Sequence, residues 1–324
     1  MARGVGRGVG RGVGRGVGRG LARGSRRALA AIGLILLGLA PAFAAEAPLK
    51  AVATFSILAD LVRQVGGEQV VVTSLVGPDA DAHGYSPAPG DARRVAEAGL
   101  VVVNGLGFEG WIERLIKASG TKAPVVVASK DVRTIAGRHD HDDHGHDHGD
   151  HADPHAWQSV ANVKLYVANI RDGLSAADPG NAALYAANAA AYTQKLDALD
   201  AEIRATLQAI PEARRRIITT HDSFGYFSDA YGMRFLAPQG ISTDGEAGPK
   251  DVARIIRQIR KDKVPAVFVE SIADPRLMQQ IARESGAKVG GRIYSDALSG
   301  PGGPAPGYLE MMRSNLNAFR EALS

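Results

Sequence analysis

The 324-residue sequence is 45% hydrophobic, carries 38 Lys+Arg against 34 Asp+Glu, and contains no cysteine. Eight of the basic residues and none of the acidic ones fall within the first 44 positions, so the remainder holds 30 basic against 34 acidic side chains. That net charge of about −4 excludes a basic nucleic-acid-binding surface. The lack of cysteine excludes a disulfide framework and a lipid-bearing cysteine behind a leader.

The first element in the chain reads as an export signal. The arginine-rich repeat RGVGRGVGRGVGRGVGRG leads into thirteen apolar residues, Ala28 to Ala40. The small-x-small pattern Ala42, Phe43, Ala44 then places cleavage after Ala44, on the general secretory route. An apolar run of that length falls short of the roughly 20 residues a membrane span needs. Residues 1–44 are therefore expected to be removed, leaving a soluble periplasmic chain.

From Pro48 onward, short β-rich runs alternate with helical patterns, the signature of a parallel sheet covered by helices. The runs KAVATF, VVVTSLV, LVVVN and PVVVAS read as strands, separated by the helices SILADLVRQVG, APGDARRVAEAG and GFEGWIERLIKASG. The second half repeats the theme with RIITTH, RFLAP and AVFVES, separated by helices that include PKDVARIIRQIRKD and PRLMQQIARESG. Between the halves, Asp178 offers an N-cap, Pro179 suits a first helical position and Pro211 a stop. Leu196, Leu199, Ile203, Leu207 and Ile210 mark one apolar face. An unbroken helix over Pro179 to Ile210 would run about 48 Å and limit lobe closure. The expected class is α/β, with two Rossmann-like lobes, each a mainly parallel sheet flanked by helices, joined by one long rigid linker helix. The expected boundaries are 45–177, 178–210 and 211–324.

Two features carry chemistry. The tract HDHDDHGHDHGDH, residues 139–151, holds His139, His141, His144, His146, His148 and His151 among five aspartates. With no apolar anchor it cannot form a core, and its near-equivalent ligand sets suit weak, exchanging metal binding. Outside it lie only His83, His155 and His221, each where a strand or loop hands over to the next element. Each could be an ordinary hydrogen-bonded loop residue. Converging at the cleft ends of two α/β lobes, they would make a zinc-type set. Asp296, which opens a loop after a short strand, is the best candidate for a fourth ligand. GLGFEG, Gly105 to Gly110, matches a dinucleotide-binding pattern, but it follows the third strand and lacks the downstream acid that pattern needs. No H-E-x-x-H, G-x-S-x-G or Walker A motif is present.

The stretches DAHGYSPAPGDARRVAEAGLVVVNGLGFEGWIERL, DPHAWQSVANVKLYVANI, HDSFGYFSDAYGM and GRIYSDALSGPGGPAPGYLEMMRSN resemble the metal-binding receptors of ABC importers. They are most similar to the zinc members of the zinc/manganese cluster, the cluster A-I metal receptors. The resemblance covers nearly the whole chain after the leader and reassigns NGLGFEGW as a family signature. It implies metal ligands at His83, His155, His221 and Asp296, two from each lobe. The third position is a glutamate in manganese-type relatives, whereas here it is an imidazole, which suits zinc. The chain departs from many periplasmic zinc members in lacking a cysteine pair in the second lobe and in supplying Asp296 as a ligand.

What the resemblance implies is a monomeric periplasmic carrier, not an enzyme, that binds Zn²⁺ and passes it to an ABC permease driven by a cytoplasmic ATPase. The histidine tract would assist acquisition or transfer, and a periplasmic zinc metallochaperone is the other candidate partner. The alternatives are a manganese receptor of the same fold, a zinc-dependent hydrolase with Asp222 as its base, and a zinc buffer that uses the tract alone.

Overall fold

A computed structural model describes residues 8–14, 47–137 and 152–324. The chain divides into two units, Met1–Ala45 and Glu46–Ser324. Within the first, residues 8–14 are exposed and without regular secondary structure. The apolar run from Ala28, the cleavage position and all six tract histidines lie outside the described residues.

The second unit contains two four-stranded sheets. The first is built from β1 (Leu49–Ala53), β2 (Val70–Ser74), β3 (Leu100–Val103) and β4 (Val125–Val127) in the order β2-β1-β3-β4, with every pairing parallel. Its crossovers are α1 (Ser56–Gly66), α2 (Pro89–Ala96) and α3 (Ile112–Ser119). After α4 (Val160–Ala177) and α5 (Ala182–Gln208), the second sheet repeats that topology. It comprises β5 (Arg216–Ile218), β6 (Arg234–Leu236), β7 (Ala266–Glu270) and β8 (Lys288–Ile293), in the order β6-β5-β7-β8 and again all parallel. Its helices are α6 (Gly225–Tyr231), α7 (Pro249–Asp262), α8 (Pro275–Ser285) and the closing α9 (Tyr308–Leu323). The two Rossmann-like lobes expected from the alternating pattern are present.

Three local departures from the sequence reading have physical causes. The helix expected over GFEGWIERLIKASG begins only at Ile112, because Gly105, Leu106 and Gly107 all take left-handed backbone angles, φ 85°, 56° and 79°. The connecting helix begins later than Pro179. Gly180 weakens the start, Pro179–Asn181 forms a single 3-10 turn, and Asn181 is the N-cap. Asp178 instead accepts hydrogen bonds from Tyr185 Oη and Asn181 Nδ2. The remaining 27 residues of α5 make a rod of about 40 Å. Helix α4 was not read from the pattern, although Val163, Tyr166, Val167, Ile170 and Leu174 recur at helical spacing and are all buried.

One hydrophobic core runs from Ala51 to Leu323 and includes residues of both sheets, α4, α5 and α9. A smaller core lies under α7 and α8 on the other face of the second sheet. The lobes are also pinned to one another. Trp157 Nε1 and Gln158 Nε2 both donate to the Ser295 carbonyl at 2.9 and 2.7 Å, Tyr308 Oη donates to the Trp157 carbonyl at 2.8 Å, and Leu298 N donates to Ser56 Oγ at 2.9 Å.

Close packing of α4 on the first sheet depends on Gly173, where a Cβ would overlap the branched side chain of Val126 on β4. Gly173→Ala is expected to cost about 1–3 kcal/mol of stability. Val126→Ala in the same chain should recover part of it, as read by thermal unfolding.

Candidate metal centre

Parallel sheets present their carboxyl ends to the ligand cleft, and both sheets here end in polar residues. On the second lobe, β5 runs out through Thr219 and Thr220 into His221, β7 ends in Glu270, and β8 leads to Ser295 and Asp296. On the first lobe, the loop after β2 carries His83, and the approach to α4 carries His155.

The four side chains singled out in the sequence meet. Among the described residues, His83, His155, His221 and Asp296 form a group whose ligand atoms all lie within 4.8 Å of one another, and all four residues are buried. His83 Nε2 is 3.2 Å from His155 Nε2 and 3.4 Å from Asp296 Oδ2, and His221 Nε2 is 3.0 Å from Asp296 Oδ2. His155 Nε2 is 3.7 Å from Asp296 Oδ1. A tetrahedron with metal–ligand bonds of about 2.0–2.2 Å has edges of about 3.3–3.6 Å, and these four separations, 3.0 to 3.7 Å, lie close to that range. Among the described residues no amide or hydroxyl meets either oxygen of Asp296, despite complete burial, and both face imidazole nitrogens. A buried carboxylate left in that state is costly unless a cation faces it.

Behind the group stand two carboxylates. Asp153 Oδ1 accepts both the backbone N–H and Nδ1 of His155, at 2.9 and 2.8 Å. Glu270 Oε1 accepts the N–H groups of Thr220 and His221 at 2.7 and 3.0 Å, while its Oε2 meets His221 Nδ1 and accepts from Ser295 Oγ at 2.8 Å. Each carboxylate orients an imidazole so that Nε2 points inward, the usual arrangement behind metal-binding histidines. Sequence reasoning did not find these two residues. Their traces are an aspartate two positions ahead of a histidine, and an acid closing an otherwise apolar strand. At Gly225, the first residue of α6, a Cβ would collide with Asp153 Oδ2, so glycine there lets the second lobe close over Asp153.

GLGFEG has a structural task. Fully buried Glu109 accepts from Thr54 Oγ1 at 2.5 Å, from Asn104 N at 2.7 Å and from Gly105 N at 3.3 Å. Burial pushes its carboxyl above the ordinary value against those hydrogen bonds. The tight loop it closes sets Phe108 edge-on to His83, with ring centroids 4.6 Å apart, and 4.8 Å from Trp157. Trp157 in turn packs 5.3 Å from His155. These rings keep water from one side of the group, and a cavity of about 380 Å³ opens beside His83 on another.

Burial penalises charge on His221, but the Glu270 and Asp296 carboxylates outweigh it and hold that imidazole well above its ordinary pKa of 6.5. Burial likewise opposes ionisation of Asp296, yet His221 and His155 beside it hold the carboxyl well below the usual range. A proton on His221 and a metal ion therefore compete for the same carboxylate environment.

Residues 51–322 match the family described as "ZnuA: Zinc-uptake complex component A periplasmic". The chain is similar to the manganese-binding lipoprotein MntA of Halalkalibacterium halodurans, with 34% identity covering 85% of this chain and 89% of that protein. It is also similar to the iron-binding protein YfeA of Yersinia pestis, with 34% identity covering 83% and 85%. The solved structure of the periplasmic zinc-binding protein TroA from Treponema pallidum superposes with a TM-score of 0.78 at 29% identity, covering 86% of this chain and 99% of that one.

Two outcomes are expected. Glu270→Gln keeps the side-chain shape but removes the charge behind His221, and metal affinity should fall by about 10–100-fold with the fold intact, as read by chelator competition and circular dichroism. Metal binding near neutral pH should also release about one proton from His221, and affinity should keep rising with pH above the ordinary imidazole range. Calorimetry in buffers of different ionisation enthalpy reads the proton count, and a count of zero would show His221 to be neutral before binding.

Proposed function

We propose a function from one premise: the chain belongs to the ZnuA family of periplasmic metal-binding receptors, which bind a metal ion for an ABC importer rather than transform a substrate. In our reading the cargo is Zn²⁺, held by His83, His155, His221 and Asp296 and handed to a permease driven by a cytoplasmic ATPase. Export by removal of residues 1–44 would deliver the chain to the periplasm. The observation that carries the reading is the buried four-residue group with Nε2 and carboxylate atoms at tetrahedral-edge separations.

Three imidazoles and one carboxylate suit a borderline-soft ion, whereas harder manganese favours more oxygen ligands. Four protein ligands also leave no open position of the kind a hydrolytic zinc site keeps for water. The manganese receptor is the second reading, favoured by two facts. Both oxygens of Asp296 face the group, so the carboxylate could bind through one or through both, and MntA is manganese-binding by name.

The histidine tract is proposed as an auxiliary, low-affinity collector. Its flanks are held together, with Ala136 bridged to Ala152, and Ala152 lines the cavity beside His83. Deleting residues 139–151 should leave one tight zinc and remove only weaker binding. His221→Glu should lose that zinc or shift preference toward manganese, as read by calorimetric titration with manganese in competition. A deletion that abolished tight binding, or a variant indistinguishable from the parent, would overturn the assignment of the buried group.

A further inference from the structure

The same turn serves two of the three imidazoles, with different consequences. In Asp81-Ala82-His83 and in Asp153-Pro154-His155, the aspartate accepts the backbone N–H of the histidine two residues on, at 2.9 Å in each case. Asp153 then uses the same oxygen to hold the ring of its own histidine. Asp81 does not. Its Oδ2 accepts the hydroxyl of Thr243 at 2.6 Å, and Thr243 lies 162 positions along the chain, in the loop between β6 and α7 of the opposite lobe.

The consequence falls on His83. The rings of His155 and His221 each have a carboxylate behind them, whereas among the described residues none stands behind the ring of His83. His83 is also the member of the group that lines the 380 Å³ cavity, together with Phe108, Pro154, Ile241 and Asp244. It is 8% exposed, whereas His155, His221 and Asp296 are at most 1% exposed. Three members of the group are thus enclosed, and two of them, His155 and His221, are held from behind. The fourth faces the opening and is located through its backbone, by a carboxylate that depends on the other lobe.

We propose that Asp81, held by Thr243, is a positioning residue that fixes His83 as the last ligand to close on the ion and the first to leave, so that this interlobe hydrogen bond sets how long the ion stays. The inference rests on His83 being a ligand, as argued above. A side chain must sit within about 0.5 Å of its productive place to complete such a site. Without the hydroxyl, Asp81 is free to rotate away from the His83 N–H, and the imidazole loses its anchor. The association step, made first by the enclosed ligands, changes little.

The test is the rate at which a chromophoric chelator in excess draws Zn²⁺ from the loaded protein, with the parent compared against Thr243→Val and Thr243→Ser. Loss of one hydrogen bond to a charged group should speed release about tenfold in the valine variant, and serine should restore the parental rate. In a His83→Ala background, Thr243→Val should add nothing, because the hydrogen bond acts only through His83. A merely structural role for the loop would speed release in both backgrounds. Equal rates in parent and Thr243→Val, or equal acceleration with and without His83, would overturn the proposal. Repeating the rates with Mn²⁺ separates the two readings. Weak zinc binding would count against the zinc assignment, and the manganese rates would still decide the role of Asp81.

Discussion

The structure is organised around a carboxylate that has been taken out of water and is faced by imidazoles alone. Asp296 is fully buried, and both its oxygens face imidazole nitrogens instead of amides or hydroxyls. Such a group is tolerable only when positive charge stands opposite it. Asp153 and Glu270, buried just behind the imidazoles, extend the demand. With neutral imidazoles, one carboxylate would leave a bound dication at a net charge of about +1, and the two further carboxylates bring the buried group to about −1. The surroundings are therefore built for a dication and strongly disfavour an anion.

The fold meets this demand with backbone more than with side chains. Glu270 is fixed by two consecutive N–H groups at the end of β5, and the Asp296 loop is fixed by two donors from the first lobe that share the Ser295 carbonyl. These attachments cross between sheets, and the hydrophobic core crosses with them. Lobes that share a core and are bridged by a helix of about 40 Å are poorly suited to opening as rigid halves. Flexibility is more easily found in loops such as the one carrying Thr243, which reaches the first lobe through its hydrogen bond to Asp81.

What could be read from the sequence follows the same division. The strands and amphipathic helices were legible because apolar spacing alone determines them, and His83, His155, His221 and Asp296 stood out as polar residues at element boundaries. Helix α4 was missed because exposed Leu165 and the interior Gly173 blur its otherwise regular apolar face. The beginning of the connecting helix was misread because Asp178 and Pro179 look like a cap while Gly180 undoes it. Asp153 and Glu270 could not be assigned because an aspartate two positions before a histidine and an acid closing a strand are common patterns, and each gains its role only from a side-chain contact inside its own lobe, Asp153 with His155 and Glu270 with His221. The left-handed Leu106 and the buried Glu109 in GLGFEG likewise gain meaning from the loop they close, and a pattern shared with phosphate loops hides it.

The position of Glu270 also bears on metal choice. An imidazole at position 221 is compatible with Glu270 because Nδ1 meets that carboxylate while Nε2 faces Asp296. A glutamate at 221 would offer no such donor and would bring a second buried carboxylate toward the first, with repulsion that only a shared proton or displacement could relieve. The carboxylate behind position 221 is thus matched to histidine, and a glutamate there would hold an ion less well than in a site whose supporting residue were neutral.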